Sequence, residues 1–312
     1  MYPRVSVIIP AYNAEKTIAD LIISLSKQTF SHQKMEILVI DDCSTDGTPG
    51  ILQAMEKEYH LRLFHHEKNQ GLACTRNTGI KNSLGKILIF IDSDMTVGDH
   101  YIENHVNFHN NRHVMGVVGI IKPSPKMIYD KYQRYLYETK RGVKRYRLEK
   151  PIPYHAFIFG NTSIKREVIE NCGLFDSNFK VYGGEDTEYA YRISQRYSKG
   201  LYGTCTLSSV HNHYRSFSDS LKNLEKFAEI NIPYIIKKHP AMSILYGLKF
   251  FRKGFDNSTP IHRFIGALVY LRTFYLICLF LYNFLPFPLS NLWVRPIIAH
   301  RLLRGLKKGL PA

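Results

Sequence analysis

At 312 residues, 45% of them hydrophobic and 22% charged, the chain is long enough to bury a sizeable core and too apolar to be disordered. Its 42 Lys+Arg against 26 Asp+Glu give a formal charge of +16, a field that favours polyanionic partners: nucleic acid, anionic lipid or phosphorylated substrates. The five cysteines, Cys43, Cys74, Cys172, Cys205 and Cys278, are odd in number and far apart, which argues against a disulfide scaffold and for reduced thiols in the cytosol.

Taken in chain order, the first 120 residues alternate between strand and helix. An apolar run at 5–9 predicts a strand and is too short for the core of a signal peptide. Ile18, Leu21, Ile22 and Leu25 recur at helical spacing. A second strand is expected at 36–40, then a helix opened by Thr48 and Pro49, whose types suit an N-cap and first helical position. A strand at 61–65, a helix at 72–83 and a nearly all-apolar strand at 86–91 follow, then a helix at 99–110 and a strand at 114–120. Such alternation predicts an α/β fold, a mostly parallel sheet with helices on both faces and ligands at the carboxyl ends of the strands. Asp41, Asp42, Asp92 and Asp94 all follow strands and are expected on one sheet edge.

From 122 to 150 the chain carries ten Lys/Arg and three acids among many tyrosines, and reads as an exposed helical tract. A strand at 156–164, a helix at 185–197 and a strand at 201–210 are expected next. Beyond about residue 215 the character changes, so we divide the chain into a domain of residues 1–215 and a helical C-terminal region of residues 216–312. Residues 264–285 are apolar apart from Arg272, Thr273 and Asn283, long enough to span a bilayer, which takes about 20 residues. Arg272 opposes a crossing, because a charge at mid-bilayer costs about 2.5–3.5 kcal/mol on insertion scales. Residues 295–308 alternate cations with Ile and Leu, a basic amphipathic pattern suited to a lipid surface. From Arg252 onward nine Lys/Arg face a single acid, Asp256.

The residues suited to chemistry sit at the ends of the predicted strands. Asp92-Ser93-Asp94 places two carboxylates where they can hold a divalent ion against a diphosphate, or simply form a solvated turn. Its companions are Pro10-Ala11-Tyr12-Asn13, Asp41-Asp42-Cys43-Ser44-Thr45-Asp46-Gly47-Thr48, Asn69-Gln70-Gly71 with Arg76-Asn77, and Gly184-Glu185-Asp186. In this order and spacing they resemble family 2 glycosyltransferases of the GT-A fold, over about residues 4–215. The resemblance implies that Pro10, Tyr12, Asn13, Asp41 and Asp42 grip the nucleobase and ribose. It puts Arg76, Asp92 and Ser93 at the donor nucleotide, and implies Mg²⁺ or Mn²⁺ held by Asp94 and Asp92 with His211 or His213. Cys74-Thr75 departs from the family, which usually has Ala before the Arg. The resemblance makes Asp186 the general base, with Glu185 beside it, and places Asn161 and Thr162 near the donor sugar or acceptor. In an extended His211-Asn212-His213 the two rings face opposite sides, so one of them reaches the ion.

The expected activity is inverting transfer from a UDP- or GDP-sugar to a hydroxyl of a lipid-linked saccharide or polysaccharide, at the cytoplasmic face of the membrane. Three alternatives remain at the level of sequence. They are transfer directly onto a polyprenyl phosphate, a non-catalytic nucleotide-sugar-binding module, and a basic nucleic-acid binder. The Tyr/Lys tract would serve the last, but no nucleic-acid fold signature accompanies it.

Overall fold

The computed structural model describes residues 4–179, 181–250 and 258–310; Arg252, Lys253 and Asp256 of the basic C-terminal count lie outside them. The chain divides into two compact units, Met1–Met127 with Lys140–Asn178 and Glu185–Tyr214, and Ile128–Thr139 with Phe179–Gly184 and Arg215–Ala312. Two short segments of the first 215 residues thus belong with the C-terminal region rather than with the sheet.

The first unit opens with β1 (Val5–Ala11), α1 (Ile18–Ser26), β2 (Met35–Asp41), α2 (Thr48–Glu56), β3 (Leu61–His65), α3 (Leu72–Asn82) and β4 (Ile87–Ile91). These four strands lie parallel in the order β3-β2-β1-β4. Then come β5 (Met95–Val97), α4 (Tyr101–Phe108), β6 (Gly116–Pro123), α5 (Lys131–Glu138, part of the second unit), β7 (Lys150–Pro151), β8 (Asn161–Lys165), α6 (Arg166–Cys172), α7 (Glu185–Arg196) and β9 (Leu201–His211). The sheet continues through β8, β6, β9 and β5, with β8 antiparallel to both β4 and β6. The result is a mixed sheet, parallel over its first four strands as expected.

Alternation along β1 builds two cores. Val5, Val7 and Ile9 pack with Ile18, Leu21, Ile22 and Leu25 of α1. Ile8 joins Leu38, Ile40 and Phe90 beneath Ala73 and Ile80 of α3 and Ile193 of α7. Every residue of β4 is buried, and each such aliphatic or aromatic side chain contributes about 1.5–3 kcal/mol relative to exposure. Gly79 lets α3 lie against the sheet, since a Cβ there would meet Ile8 Cγ2 at 2.4 Å.

Two expectations are corrected here. Residues 156–164 do not form one strand: a 3₁₀ turn occupies Tyr154–Ala156 and β8 begins only at Asn161. Nor is the basic tyrosine tract a continuous exposed helix. It begins as the end of β6, and α5 buries Tyr132 and Tyr135 against Leu221, Tyr275 and Tyr282 in the second unit.

That unit also holds α8 (Phe217–Lys238), α9 (Pro260–Tyr270), α10 (Arg272–Phe284) and α11 (Asn291–Gly309). Three of its helices, α5, α8 and α9, open on side-chain caps, each worth about 1 kcal/mol. Asp130 accepts the Gln133 N–H at 2.9 Å, Ser216 the Asp219 N–H at 3.1 Å, and Thr259 the His262 N–H at 3.4 Å ahead of Pro260. Ala228 and Ile232 of α8 pack with Leu303 and Leu306 of α11. The apolar stretch 264–285 is broken at Leu271, where α9 and α10 meet at 67°. Among the described residues no single helix is long and apolar enough to cross a membrane.

Candidate active site at the carboxyl edge of the sheet

The loops after β1, β2 and β3 are stitched together by their own polar groups. Asn13, in the left-handed region at φ +50°, donates its N–H to Ser44 Oγ at 2.9 Å and accepts the Thr45 N–H on Oδ1 at 2.8 Å. Asp41 accepts the Ser44 N–H at 3.3 and 3.4 Å, a local turn that satisfies a buried carboxylate. Asp42 is buried and holds the loop after β3: it accepts the N–H groups of Gln70 and Gly71, both at 2.8 Å, and lies 2.7 Å from His66 Nδ1. Gly71, at φ +87°, then leads into α3. Pro10 is buried within β1, whereas Tyr12 is half exposed and Asn13 exposed. Of the residues expected around the nucleobase, the loop tips are therefore open, and the two carboxylates shape the loops.

Arg76, one turn into α3, has a task the sequence did not disclose. It is 1% exposed, and its guanidinium bridges Asp186, Glu185 at 3.5 Å and Asp92 at 3.4 Å. It also rests over the rings of Phe175 (5.5 Å) and Phe159 (5.9 Å). A guanidinium enclosed by three carboxylates serves as their counter-ion and spacer. The other Asp186 oxygen accepts the Phe159 N–H at 2.9 Å, so the carboxylate is fixed at both ends while 18% of the side chain stays open.

One cation among three acids leaves negative charge in excess. Burial first, and the neighbouring Asp186 second, push the Glu185 carboxyl up to about 7. Burial likewise raises Asp92, against the pull of Arg76 and with the repulsion of Asp94 and Asp186, to about 6, although a third of that side chain still meets solvent.

Two residues beyond Asp92, Asp94 turns to β9. Its Oδ2 lies 3.1 Å from His211 Nε2, and the His213 ring lies 6.2 Å from that of His211. Burial works to raise the Asp94 carboxyl, but the bond and charge of His211, aided by His213, hold it below the usual carboxylate range. Asp94 Oδ1 is buried without a hydrogen-bond partner. The expected set of Asp92, Asp94 and one of the two histidines does not close: among the described residues no three His, Cys, Asp or Glu are placed to share one ion. Asp92 is drawn to Arg76 and Asp94 to His211, with Ser93 half-buried between them.

Asn161 and Thr162 are removed from the sugar subsite. Both are wholly buried in β8, where Asn161 accepts the Tyr101 O–H at 2.8 Å and donates to the carbonyls of Ile120 and Leu207 at 3.1 and 3.3 Å. Thr162 donates to the Ile158 carbonyl. Sequence reading also missed Phe159, whose N–H orients Asp186, and Asn77, whose amide pairs with both backbone groups of Phe175 at 2.8 and 2.9 Å. The only signal for Asn77 was its place beside Arg76 in the Arg-Asn dipeptide.

A mixed α/β sheet with these acids along one edge defines a GT-A transferase. The profile of Glycosyl transferase family 2 matches residues 6–173, over half of the chain, and the chain belongs to that family; it is a glycosyltransferase. Among curated proteins it is 27% identical over 286 residues to the uncharacterized glycosyltransferase YfnE of Bacillus subtilis (strain 168), covering 76% of this chain and 70% of YfnE. It is 35% identical over 111 residues to the poly(ribitol-phosphate) beta-N-acetylglucosaminyltransferase TarS of Staphylococcus aureus (strain Mu50 / ATCC 700699), covering 35% of this chain and only 19% of TarS. Among solved structures, the mannosyltransferase PcManGT from Pyrobaculum calidifontis, in complex with GDP-Man and Mn²⁺, superposes with a TM-score of 0.60 at 18% identity, covering 99% of this chain and 87% of that one. S. aureus TarS 1-349 in complex with UDP-GlcNAc gives 0.57 at 19%, covering 96% and 90%. At these identities the structural likeness is one of fold.

Proposed function

We propose that the protein is an inverting transferase that moves a sugar from a UDP- or GDP-sugar to a hydroxyl of a lipid-linked saccharide or polysaccharide at the cytoplasmic face of a membrane. The observation that carries this reading is the fixing of Asp186 by Arg76 and the Phe159 N–H, beside Asp92 and with its carboxylate partly open. A base so held takes the acceptor proton as that oxygen attacks the anomeric carbon, opposite the departing nucleoside diphosphate, and the sugar carbon inverts. A phosphate acceptor is already ionised and needs no base, so the positioned Asp186 favours a hydroxyl over a polyprenyl phosphate. The exposed Tyr12 and Asn13 are suited to the nucleoside.

Asp94, with an unpartnered buried oxygen, and the His211 imidazole are the groups that would hold a divalent cation, sharing it with oxygens of the donor diphosphate. When bound, Mg²⁺ or Mn²⁺ would neutralise charge on the leaving diphosphate. The complexes named for the two structural neighbours, UDP-GlcNAc in one and GDP-Man with Mn²⁺ in the other, support the donor class and the metal.

The test is nucleoside-diphosphate release over a panel of UDP- and GDP-sugars with an oligosaccharide-lipid acceptor fraction. We expect release from one donor, its loss on chelation, and its return with Mn²⁺ or Mg²⁺. Asp94→Ala should weaken metal-dependent donor binding by about 10–100-fold. Turnover that survives chelation and Asp94→Ala unchanged would remove the metal from the reading.

A further inference from the structure

The second unit holds a cavity of about 700 Å³ where α9 breaks into α10, lined by Tyr270, Arg272, Tyr275, His300 and Arg304. Arg272 is the first residue of α10, and among the described residues no ion pair engages it. Arg304 reaches Glu225 only at 3.7 Å, because that carboxylate already accepts from Arg301 and Lys308, each at 2.8 Å. Lys307 adds its charge at the rim, 4.6 Å from the Tyr270 ring centre. His300 is stacked on Tyr275 at 4.3 Å, and burial holds its ring below the usual imidazole range, so the cavity's charge comes from the arginines. Among the described residues Arg301, Arg304 and Lys308 pair with Glu225 and Glu229, and no ion pair engages Arg272 or Lys307.

Around this cationic cavity the helix surfaces are apolar. Phe264, Leu271, Leu276, Ile277, Phe280 and Phe284 are between 51% and 73% exposed. No acid follows Asp256 in the sequence, so α9, α10 and α11 carry no carboxylate of their own. A nucleic acid matches the charge but leaves the apolar face in water. A second copy matches the apolar face but sets like charges against each other. An interfacial bilayer region with anionic headgroups satisfies both. The helices have 11 and 13 residues, about 16 and 20 Å at 1.5 Å per residue, each short of a hydrocarbon core of about 30 Å; together they are long enough, but the 67° bend and the charge of Arg272 beside it oppose a joint crossing. Their dimensions suit lying in the interface.

We infer that the α9–α10 bend with Arg272 and Arg304 is a binding site for the phosphate headgroup of an anionic membrane lipid, with the exposed apolar face lodged among the acyl chains. The site rests on the membrane-surface reading above and gives it a ligand and named contacts. Arg272 anchors the phosphate from the break and Arg304 from α11, while Phe280 and Phe284, stacked at 5.7 Å, supply apolar area.

The experiment is sedimentation of the full chain with phosphatidylcholine vesicles, with and without phosphatidylglycerol. The wild type is expected to partition at least about tenfold better onto the anionic vesicles. Arg272→Gln with Arg304→Gln should abolish that preference. Arg272→Gln alone, which breaks no ion pair among the described residues, should lower it measurably with an unchanged circular dichroism spectrum. Phe280→Ser with Phe284→Ser should lower binding to both vesicle types. Equal binding of the wild type to both vesicles would overturn the headgroup site while leaving membrane association standing. Failure to bind either would overturn both. Self-association abolished by the Phe pair substitution would instead assign the face to a second copy.

Discussion

The Arg76 cluster and the Asp94–His211 pair lie on the same sheet edge, start from the same D-x-D motif, and treat their carboxylates in opposite ways. Around Arg76, three acids from two distant parts of the chain share one buried guanidinium, and Asp186 has both oxygens committed to donors. At Asp94 one oxygen meets a histidine and the other is buried with no hydrogen-bond partner. The contrast teaches that negative charge here is divided between carboxylates that fix geometry and one that keeps an oxygen uncommitted, as the proposed cation site requires. A carboxylate that must keep its place through a proton transfer is best held by groups that do not leave, and a metal ligand needs a vacant lone pair until the donor arrives.

The sharpest break of this comparison is Asp186→Asn. The amide keeps the shape and removes the base, so kcat should fall about 10²–10⁴-fold while donor binding changes little. Single-turnover kinetics with matched donor titrations will separate the two. Near-wild-type turnover in this variant removes Asp186 from proton transfer and leaves it a structural partner of Arg76.

The next effect is on stability. Arg76→Met leaves Asp92, Glu185 and Asp186 with no counter-ion, and breaking a buried pair costs about 3–5 kcal/mol. The loss should be full at about pH 8 and smaller at about pH 5, where the deserted carboxyls can take up protons. Urea unfolding at the two pH values measures it. A loss of equal size at both would mean that the guanidinium acts through packing on Phe159 and Phe175 rather than through charge.

These roles were unevenly legible in the sequence. The parallel half of the sheet could be read almost residue by residue, because strands such as β4, buried on both faces, must be apolar throughout. The antiparallel half could not. β8 begins Asn161-Thr162-Ser163, a loop-like composition, yet all three side chains are buried. Among their partners, Tyr101 on Asn161 and both His105 and His109 at 2.8 Å from Ser163 come from α4 and its C-cap, over 50 residues away. Arg76 was visible as a motif residue but not as a hub, since the acids of α7 lie 109 and 110 positions further on. That Asp94 meets His211 follows from the register of β9 against β5, which pairs Met95 with His211 and has no local signal in the sequence.

The finest test falls on Glu185, which the resemblance grouped with the base and the structure buries behind it at 5% exposure. Its carboxyl is raised from an ordinary 4.5 to about 7, so between those values the folded protein holds a proton that the unfolded chain has released. The sign follows: this group's contribution to stability is greatest at low pH, declines as pH rises from about 4.5 to about 7, and stays at its minimum above that. Glu185→Gln keeps the shape without the charge. The variant should be more stable than the wild type above about pH 7, by on the order of 1–3 kcal/mol, with the difference closing toward pH 4.5. Unfolding midpoints across that range will show it, and a difference independent of pH would mean that Glu185 is ionised throughout and shares Arg76 with Asp186. The converging curve would instead assign the ion pair chiefly to Asp186, the residue whose position the transfer step needs most.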